Sequence, residues 1–190
     1  MFTRFIVSAA LLSAIGLGVT GGAYSYAKIS QYKDEILQLQ AFCEARDLTP
    51  TFATVERVID GDTYKLSSKQ TVRLLGPDTP EICHHKSNGE LRDPECEDEY
   101  LGPEATAFAK DMVEGQEVVL IGDPAVGNRD HFGRLLRYVF VREKSVGLEL
   151  VREGYAPVYD KLTPRAKFYD ALQAAEISAR EKGRGLWGIK

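Results

Sequence analysis

Val72–Glu81 reads Val-Arg-Leu-Leu-Gly-Pro-Asp-Thr-Pro-Glu, which gathers Arg73, Asp78, Thr79 and Glu81 around one strand end. Asp60-Gly61-Asp62-Thr63 precedes it, and Arg129-Asp130-His131-Phe132-Gly133-Arg134 follows much later. Two carboxylates, Asp62 and Asp78, with a backbone carbonyl and waters suit Ca2+, a hard cation that takes about 6 to 8 oxygen ligands. Arg73 and Arg134 carry planar forks that bind a phosphate bidentately and stabilise a five-coordinate dianion; a lysine lacks the fork. Glu81 follows the Thr79-Pro80 turn, where a carboxylate can act as a general base or hold a water in line. Each residue alone has a plainer reading. Asp60-Gly61-Asp62 is a hairpin-turn signal, Arg73 an exposed strand residue, and Glu81 a loop acid. Only the set supplies what phosphodiester hydrolysis requires.

The elements that must hold these side chains are short and β-branched. Phe52–Ile59, Thr63–Leu66, Thr71–Leu75, Glu117–Ile121 and Leu135–Val141 read as strands bounded by turn residues. Arg73 lies between Val72 and Leu74 and so faces away from the side they bury. Pro77 to Gly102 reads as a long polar loop, a kind that tends to be functional or mobile. Gly102-Pro103 opens a helix whose buried face is Ala105, Phe108, Ala109 and Met112. Ser145 caps a short helix through Glu153. Thr163-Pro164 starts the last helix, with Phe168, Leu172, Ala175 and Ala179 on one face. Gly183 and Gly185 stop it, and Leu186-Trp187 folds back as a clasp. The expected fold class is mainly β with helices (α+β). It is a five-stranded OB-fold barrel plus three helices over residues 50–190, preceded by an N-terminal hydrophobic helix and a short helical stalk.

The first 27 residues are a different material. No charge falls between Arg4 and Lys28, and Phe5–Tyr26 is apolar or small. A bilayer core needs about 20 such residues, and a signal-peptide apolar region about 7 to 15. A buried core helix is the plain reading; two others lead: an uncleaved anchor with the N-terminus inside, or a signal cut after Ala23 or Ala27. Either exports residues 50–190, membrane-anchored in the first case and secreted or periplasmic in the second. Lys28–Arg46 reads as a polar helix with Ile29, Tyr32, Ile36, Leu39 and Cys43 on a heptad-like stripe. Residues 28–49 are then a stalk, offering a weak homodimer contact or lying along the domain or membrane.

Of three cysteines, Cys83 and Cys96 can close a loop in an oxidising compartment, which leaves Cys43 odd. A metal site of Cys83, His84, His85 and Cys96 fits no standard zinc spacing. The net charge of −4 looks wrong for a nucleic-acid partner. Its location matters more. Residues 81–99 hold seven acids (Glu81, Glu90, Asp93, Glu95, Glu97, Asp98, Glu99) against Lys86 and Arg92, and residues 1–49 sum to zero. The acidity is a single loop feature on a surface otherwise close to neutral.

Asp60-Gly61-Asp62-Thr63, Arg73-Leu74-Leu75, Asp78-Thr79-Pro80-Glu81, Gly102-Pro103-Glu104-Ala105 and Phe132-Gly133-Arg134 together resemble the staphylococcal nuclease (thermonuclease) family, from about Thr54 to Gly188. Gly183 to Trp187 resembles that family's Gly-Leu-Trp-type ending. The resemblance implies Ca2+-dependent hydrolysis of single-stranded or locally melted DNA and RNA, cut at the 5′ P–O bond to leave a 3′-phosphate. By that resemblance Asp62 and Asp78 hold Ca2+ and Thr79 lends its carbonyl. Arg73 and Arg134 clamp the phosphate, and Glu81 serves the attacking water. Where the best-known member has a lysine and a tyrosine before the Gly-Arg pair, this chain has His131 and Phe132. Phe132 can stack on a base but cannot donate a hydrogen bond to a terminal phosphate. Tyr159 resembles the family's other nucleotide-contacting tyrosine. Two further classes stay open: a catalytically inactive nucleic-acid-binding module on the same fold, and a membrane-tethered interaction protein working through its stalk.

Overall fold

The computed structural model describes residues 50–84 and 89–188. The anchor or signal, the stalk with Cys43, and His85 lie outside the described residues. Among those described, no helix is long and apolar enough to cross a membrane.

Among the described residues six strands run β1 (Thr51–Asp60), β2 (Thr63–Leu66), β3 (Thr71–Leu74), β4 (Glu117–Ile121), β5 (Leu135–Val141) and β6 (Lys144–Ser145). Their order is β3-β2-β1-β4-β5-β6, and β3 also pairs with β5. That parallel pairing, Val72 opposite Leu135 and Leu74 opposite Arg137, closes five strands into a barrel. Closure removes the unpaired strand edges that an open sheet would leave. Strand β1 serves both halves: Thr51–Thr54 pairs with β4, and Val55–Asp60 pairs with β2. Register shifts between Val55 and Arg57 and between Val58 and Asp60 bend it around the corner. Val55, Tyr64, Leu66, Val72, Val118 and Val139 fill the interior, with the period-2 alternation that a half-buried strand must have.

Among the described residues three helices cover the barrel: α1 (Gly102–Val113), α2 (Val146–Arg152) and α3 (Tyr169–Glu181). Helix α1 lies against β1, and α2 packs on β5, α1 and α3. Pro103 sits in the first turn of α1, and the Ser145 hydroxyl accepts from the Leu148 N–H to cap α2. The buried face of α1 is Ala105, Ala109 and Val113, while Phe108 and Met112 flank it. The last helix starts later than Thr163-Pro164 suggests. Ala166 and Tyr169 bond back three residues, to Thr163 and Ala166, and the first α-type bond is Leu172 N–H to Phe168 C=O. The cause is long-range. Buried Asp123 accepts from the Lys167 N–H at 2.8 Å and from the Tyr138 hydroxyl at 2.8 Å, holding residues 163–168 in turns. Phe168 therefore leaves the helix face and packs edge-on against Tyr138. Past α3, Gly185–Trp187 forms a 3-10 turn, and Arg180 lies 3.8 Å over the Trp187 ring.

Candidate active site

The β1–β2 hairpin turn supplies the floor. Asp60 Oδ1 accepts the Asp62 N–H at 3.2 Å, and the Tyr64 hydroxyl donates to the Gly61 carbonyl at 3.0 Å. Tyr64 is fully buried, so the turn is bolted to the core. A Cβ on Gly61 would lie 2.7 Å from Thr79 Cγ2, so only glycine lets the Asp78–Glu81 segment close over this turn. The hairpin reading of Asp60-Gly61-Asp62 is thus correct, and the turn is also part of the site.

Asp62 has no exposed surface. Its Oδ2 accepts the Thr79 N–H at 2.8 Å, and its Oδ1 accepts the Thr63 hydroxyl at 3.1 Å. Arg73 stands opposite Thr63 in the β2–β3 register. Its Nη1 donates to Asp62 and its Nη2 to Asp78, so one guanidinium spans both carboxylates. Asp78 is held by its own N–H to the Pro157 carbonyl at 3.0 Å, and the Tyr159 N–H donates to Gly76 at 2.8 Å. The Pro77–Val158 bridge between these bonds sets Asp78 opposite Pro157 and the exposed Tyr159 opposite Gly76.

Arg134 arrives from the loop before β5. Asp130 accepts its Nε–H at 2.6 Å, and its Nη1 reaches the Thr63 hydroxyl at 3.5 Å. Thr63 is therefore the joint between the two arginines: it donates to Asp62 and faces Arg134. Phe132 is 73% exposed, with Arg134 5.2 Å from its ring centre and the His131 ring at 3.7 Å. Arg73, Arg134, Phe132 and His131 are therefore gathered around this end of the barrel.

Glu81 is fastened by its backbone. Glu99 accepts the Glu81 N–H at 3.1 Å and returns its own N–H to the Glu81 carbonyl at 3.0 Å. The start of α1 is tight against it, since a Cβ on Gly102 would lie 2.6 Å from the Glu81 carbonyl. Cys83 and Cys96 are joined as a disulfide, Cα–Cα 5.8 Å, so neither thiolate can bind zinc. The bridge closes the loop directly after Glu81. Asp60, Glu81 and His84 each bring a donor atom to within 4.8 Å of the others.

The electrostatics favour a cation. Burial, and the neighbouring Asp60 charge, push Asp62 up to about 7. Burial also raises Asp60 and Glu81, and for Glu81 the Asp62 charge adds to it. Arg73 is the guanidinium paired with this group, bonded to Asp62 and Asp78. A donor set of carboxylate oxygens carrying more negative than positive charge fits a divalent hard cation.

Sequence reasoning undervalued Asp60, gave Thr63 and Asp130 no role of their own, and met His84 only in a zinc set with Cys83, His85 and Cys96 whose spacing is not standard. The hairpin register pointed to Thr63, the residue that must face Arg73. Asp130 sits four residues before Arg134. The neighbours of His84 pointed to it only as a partner of the two cysteines, which the disulfide removes as ligands.

The staphylococcal nuclease homologue family matches residues 71–188. Endonuclease YncB of Bacillus subtilis (strain 168) is 36% identical over 137 residues, which cover 70% of this chain and 60% of that protein. The SPbeta prophage-derived endonuclease YokF of the same organism is 35% identical over 137 residues, 70% of this chain and 43% of its own length. An uncharacterized protein of Methanocaldococcus jannaschii is 31% identical over 152 residues, 72% of this chain and 71% of that one. The chain thus spans less than two thirds of either endonuclease. The match runs from β3 to the 3-10 turn that ends the described fold, and on it this chain belongs to the staphylococcal nuclease homologue family.

Proposed function

We propose that this protein is a Ca2+-dependent phosphodiesterase that hydrolyses single-stranded or locally melted DNA and RNA and leaves 3′-phosphate ends. The observation that carries the reading is the arrangement around Arg73. Its fork meets Asp62 and Asp78, Thr63 links it to Arg134, and Glu81 is fastened at the same end of the barrel. Endonuclease names among the relatives support the reaction class.

Asp62, Asp78 and the Thr79 carbonyl are the residues to hold the ion, with Asp60, Glu81 and His84 beside them. When bound, the ion supplies positive charge against the phosphate and acidifies a water. Arg73 and Arg134 bind the non-bridging oxygens and take up the charge that grows on them in the five-coordinate state. Glu81 orients the attacking water. The water oxygen bonds to phosphorus as the P–O5′ bond breaks, the 5′-oxygen leaves with a proton from solvent, and the phosphate stays on the 3′ side. Phe132, His131 and Tyr159 offer ring faces to the bases, a contact that tolerates any sequence and requires an unpaired strand. We place the domain outside the cytoplasm, anchored by residues 5–26 or released by their cleavage.

The test incubates the protein with single-stranded DNA and RNA in Ca2+, in Mg2+ and in excess chelator, beside Asp62→Ala. Ca2+-dependent degradation that vanishes in the variant is expected. Nucleotide binding without degradation under any condition would refute catalysis and leave a binding module.

A further inference from the structure

A groove of about 500 Å3 opens beside the site, lined in part by His84, and no role above uses it. Its floor is apolar: Val58 is buried, and Ile59 and Ile82 are half-buried. Its rim is cationic, with exposed Arg57 on one side and exposed Arg92 on the other. The Arg92 N–H donates to the His84 carbonyl at 2.8 Å, which ties that rim to the residue next to the Cys83–Cys96 bridge. Arg57 faces Lys65 across the β1–β2 ladder, so like charges lie side by side there. Among the described residues the salt bridges involve neither rim arginine, and the Arg57 charge acts only on its neighbour Glu56 at longer range.

We propose that this groove is a second nucleotide subsite, which holds the nucleotide next along the strand beyond the two joined by the phosphate at the Arg73–Arg134 clamp. The inference rests on the nuclease reading. Three features identify the occupant. An apolar floor between two exposed guanidiniums matches a nucleotide, whose base is flat and apolar and whose two flanking phosphates are anionic. The volume lies in the range of small-ligand sites, about 300 to 1,000 Å3, and suits one nucleotide. The groove is continuous with the catalytic end, because His84 lines it and also approaches Asp60 and Glu81 to within 4.8 Å. A strand leaving the clamp past Glu81 therefore enters it directly. The subsite lets a domain with an acidic overall balance hold a polyanion: binding charge is concentrated at the two rim arginines.

The test uses the full chain and an oligothymidylate series from two to eight nucleotides. Arg57→Ala with Arg92→Ala is compared with Lys144→Ala with Lys182→Ala, a pair of exposed lysines that removes the same charge away from the groove. For the parent, kcat/KM rises with length. In the groove variant the rise flattens, with a loss of about tenfold at eight nucleotides from two phosphate contacts, and the dinucleotide stays within about twofold. The lysine control keeps the parent's length dependence. Equal loss at every length, equal loss in the control, or no loss at all would overturn the subsite. Anisotropy of fluorescein-labelled oligothymidylates in chelator reads the same contrast without turnover. A parent that binds with this length dependence yet cuts nothing refutes the nuclease reading and keeps the groove. A parent that cuts with no groove effect does the reverse.

Discussion

Arg73→Lys should leave the fold nearly intact and remove most of the catalysis. Asp62 is fully buried and the Arg73 side chain is 14% exposed, so this charge pair is largely out of water. Removing the cation altogether, as in Arg73→Ala, strands a buried carboxylate and costs about 3–5 kcal/mol of stability. Lysine keeps a positive charge beside Asp62 and avoids most of that penalty. It cannot keep the geometry, because Nη1 and Nη2 of Arg73 serve two different carboxylates and one ammonium cannot present two parallel donors. A donor aimed at the charged transition state is worth about 2.7–4 kcal/mol, or about 100- to 1,000-fold in kcat. The loss should fall on kcat more than on KM, because the contact tightens as charge builds on the phosphate. Urea unfolding in chelator and steady-state cleavage of an oligonucleotide supply the two readouts. A folded Arg73→Lys protein with kcat within about fivefold of the parent would refute the fork as the stabilising element. Equal destabilisation by lysine and alanine would refute charge compensation of Asp62.

Glu81→Gln should retain metal and nucleotide binding and lose about 100-fold or more in turnover; turnover within a few-fold of the parent would remove Glu81 from the mechanism. Cys83→Ser with Cys96→Ser opens a loop with a sequence separation of 13, and should cost about 3 kcal/mol in thermal or urea unfolding. Turnover should fall below the melting range as well, because Glu81 and His84 border that loop, and unchanged turnover there would sever the link. Asp62 sits at about 7 against an ordinary 3.8, so its stabilising share is complete below about 3.8 and is lost as pH rises through about 7. The urea midpoint in chelator should therefore fall between pH 5 and pH 8, and saturating Ca2+, which binds the deprotonated form, should reverse the fall; a flat profile in chelator would contradict this. Glu95→Gln with Glu97→Gln should raise oligonucleotide affinity a few-fold at low salt, whereas Glu99→Ala should lower turnover by releasing Glu81. Anisotropy and cleavage rates separate the two effects.

Local pattern carried the strands well. Thr63–Leu66, Glu117–Ile121 and Leu135–Val141 end where β-branched alternation ends. Pairing between distant strands left no such trace. The β3–β5 closure that brings the Arg73 strand beside the strand following Arg134 depends on the bend in β1, which comes from register shifts and not from any one residue. Strand β6 was hidden for a different reason. Arg142 and Glu143 form its turn with φ of 47° and 69°, a region normally signalled by Gly or Asn, and Arg-Glu gives no such signal. The late start of α3 came from Asp123, whose bond to Lys167 spans 44 residues. At the site, the residues with chemistry of their own were legible by type: Asp62, Asp78, Glu81 and the two arginines. Thr63, Asp130 and His84 act by position, and position belongs to the fold.

The acidic loop shows why charge counted along a sequence misleads. A segment with seven acids against two bases, set beside a polyanion site, reads as repulsion. Three of those acids are instead engaged with backbone. Asp98 accepts the Cys83 N–H at 2.6 Å, Glu99 accepts the Glu81 N–H at 3.1 Å, and Asp93 accepts the Glu95 N–H at 3.0 Å. An irregular loop has no ladder partners for its N–H groups, and carboxylates close by supply strong acceptors. Two of those bonds lie at Glu81 and Cys83, so these acids set where Glu81 stands. Shortening the loop to relieve repulsion would therefore release Glu81 along with it. The exposed Glu95 and Glu97 sit in the same loop as Arg92 at the groove rim. If the groove holds a nucleotide as proposed, repulsion and capture act at different points along one strand, and an oligonucleotide is held or shed by how far it extends toward the rim.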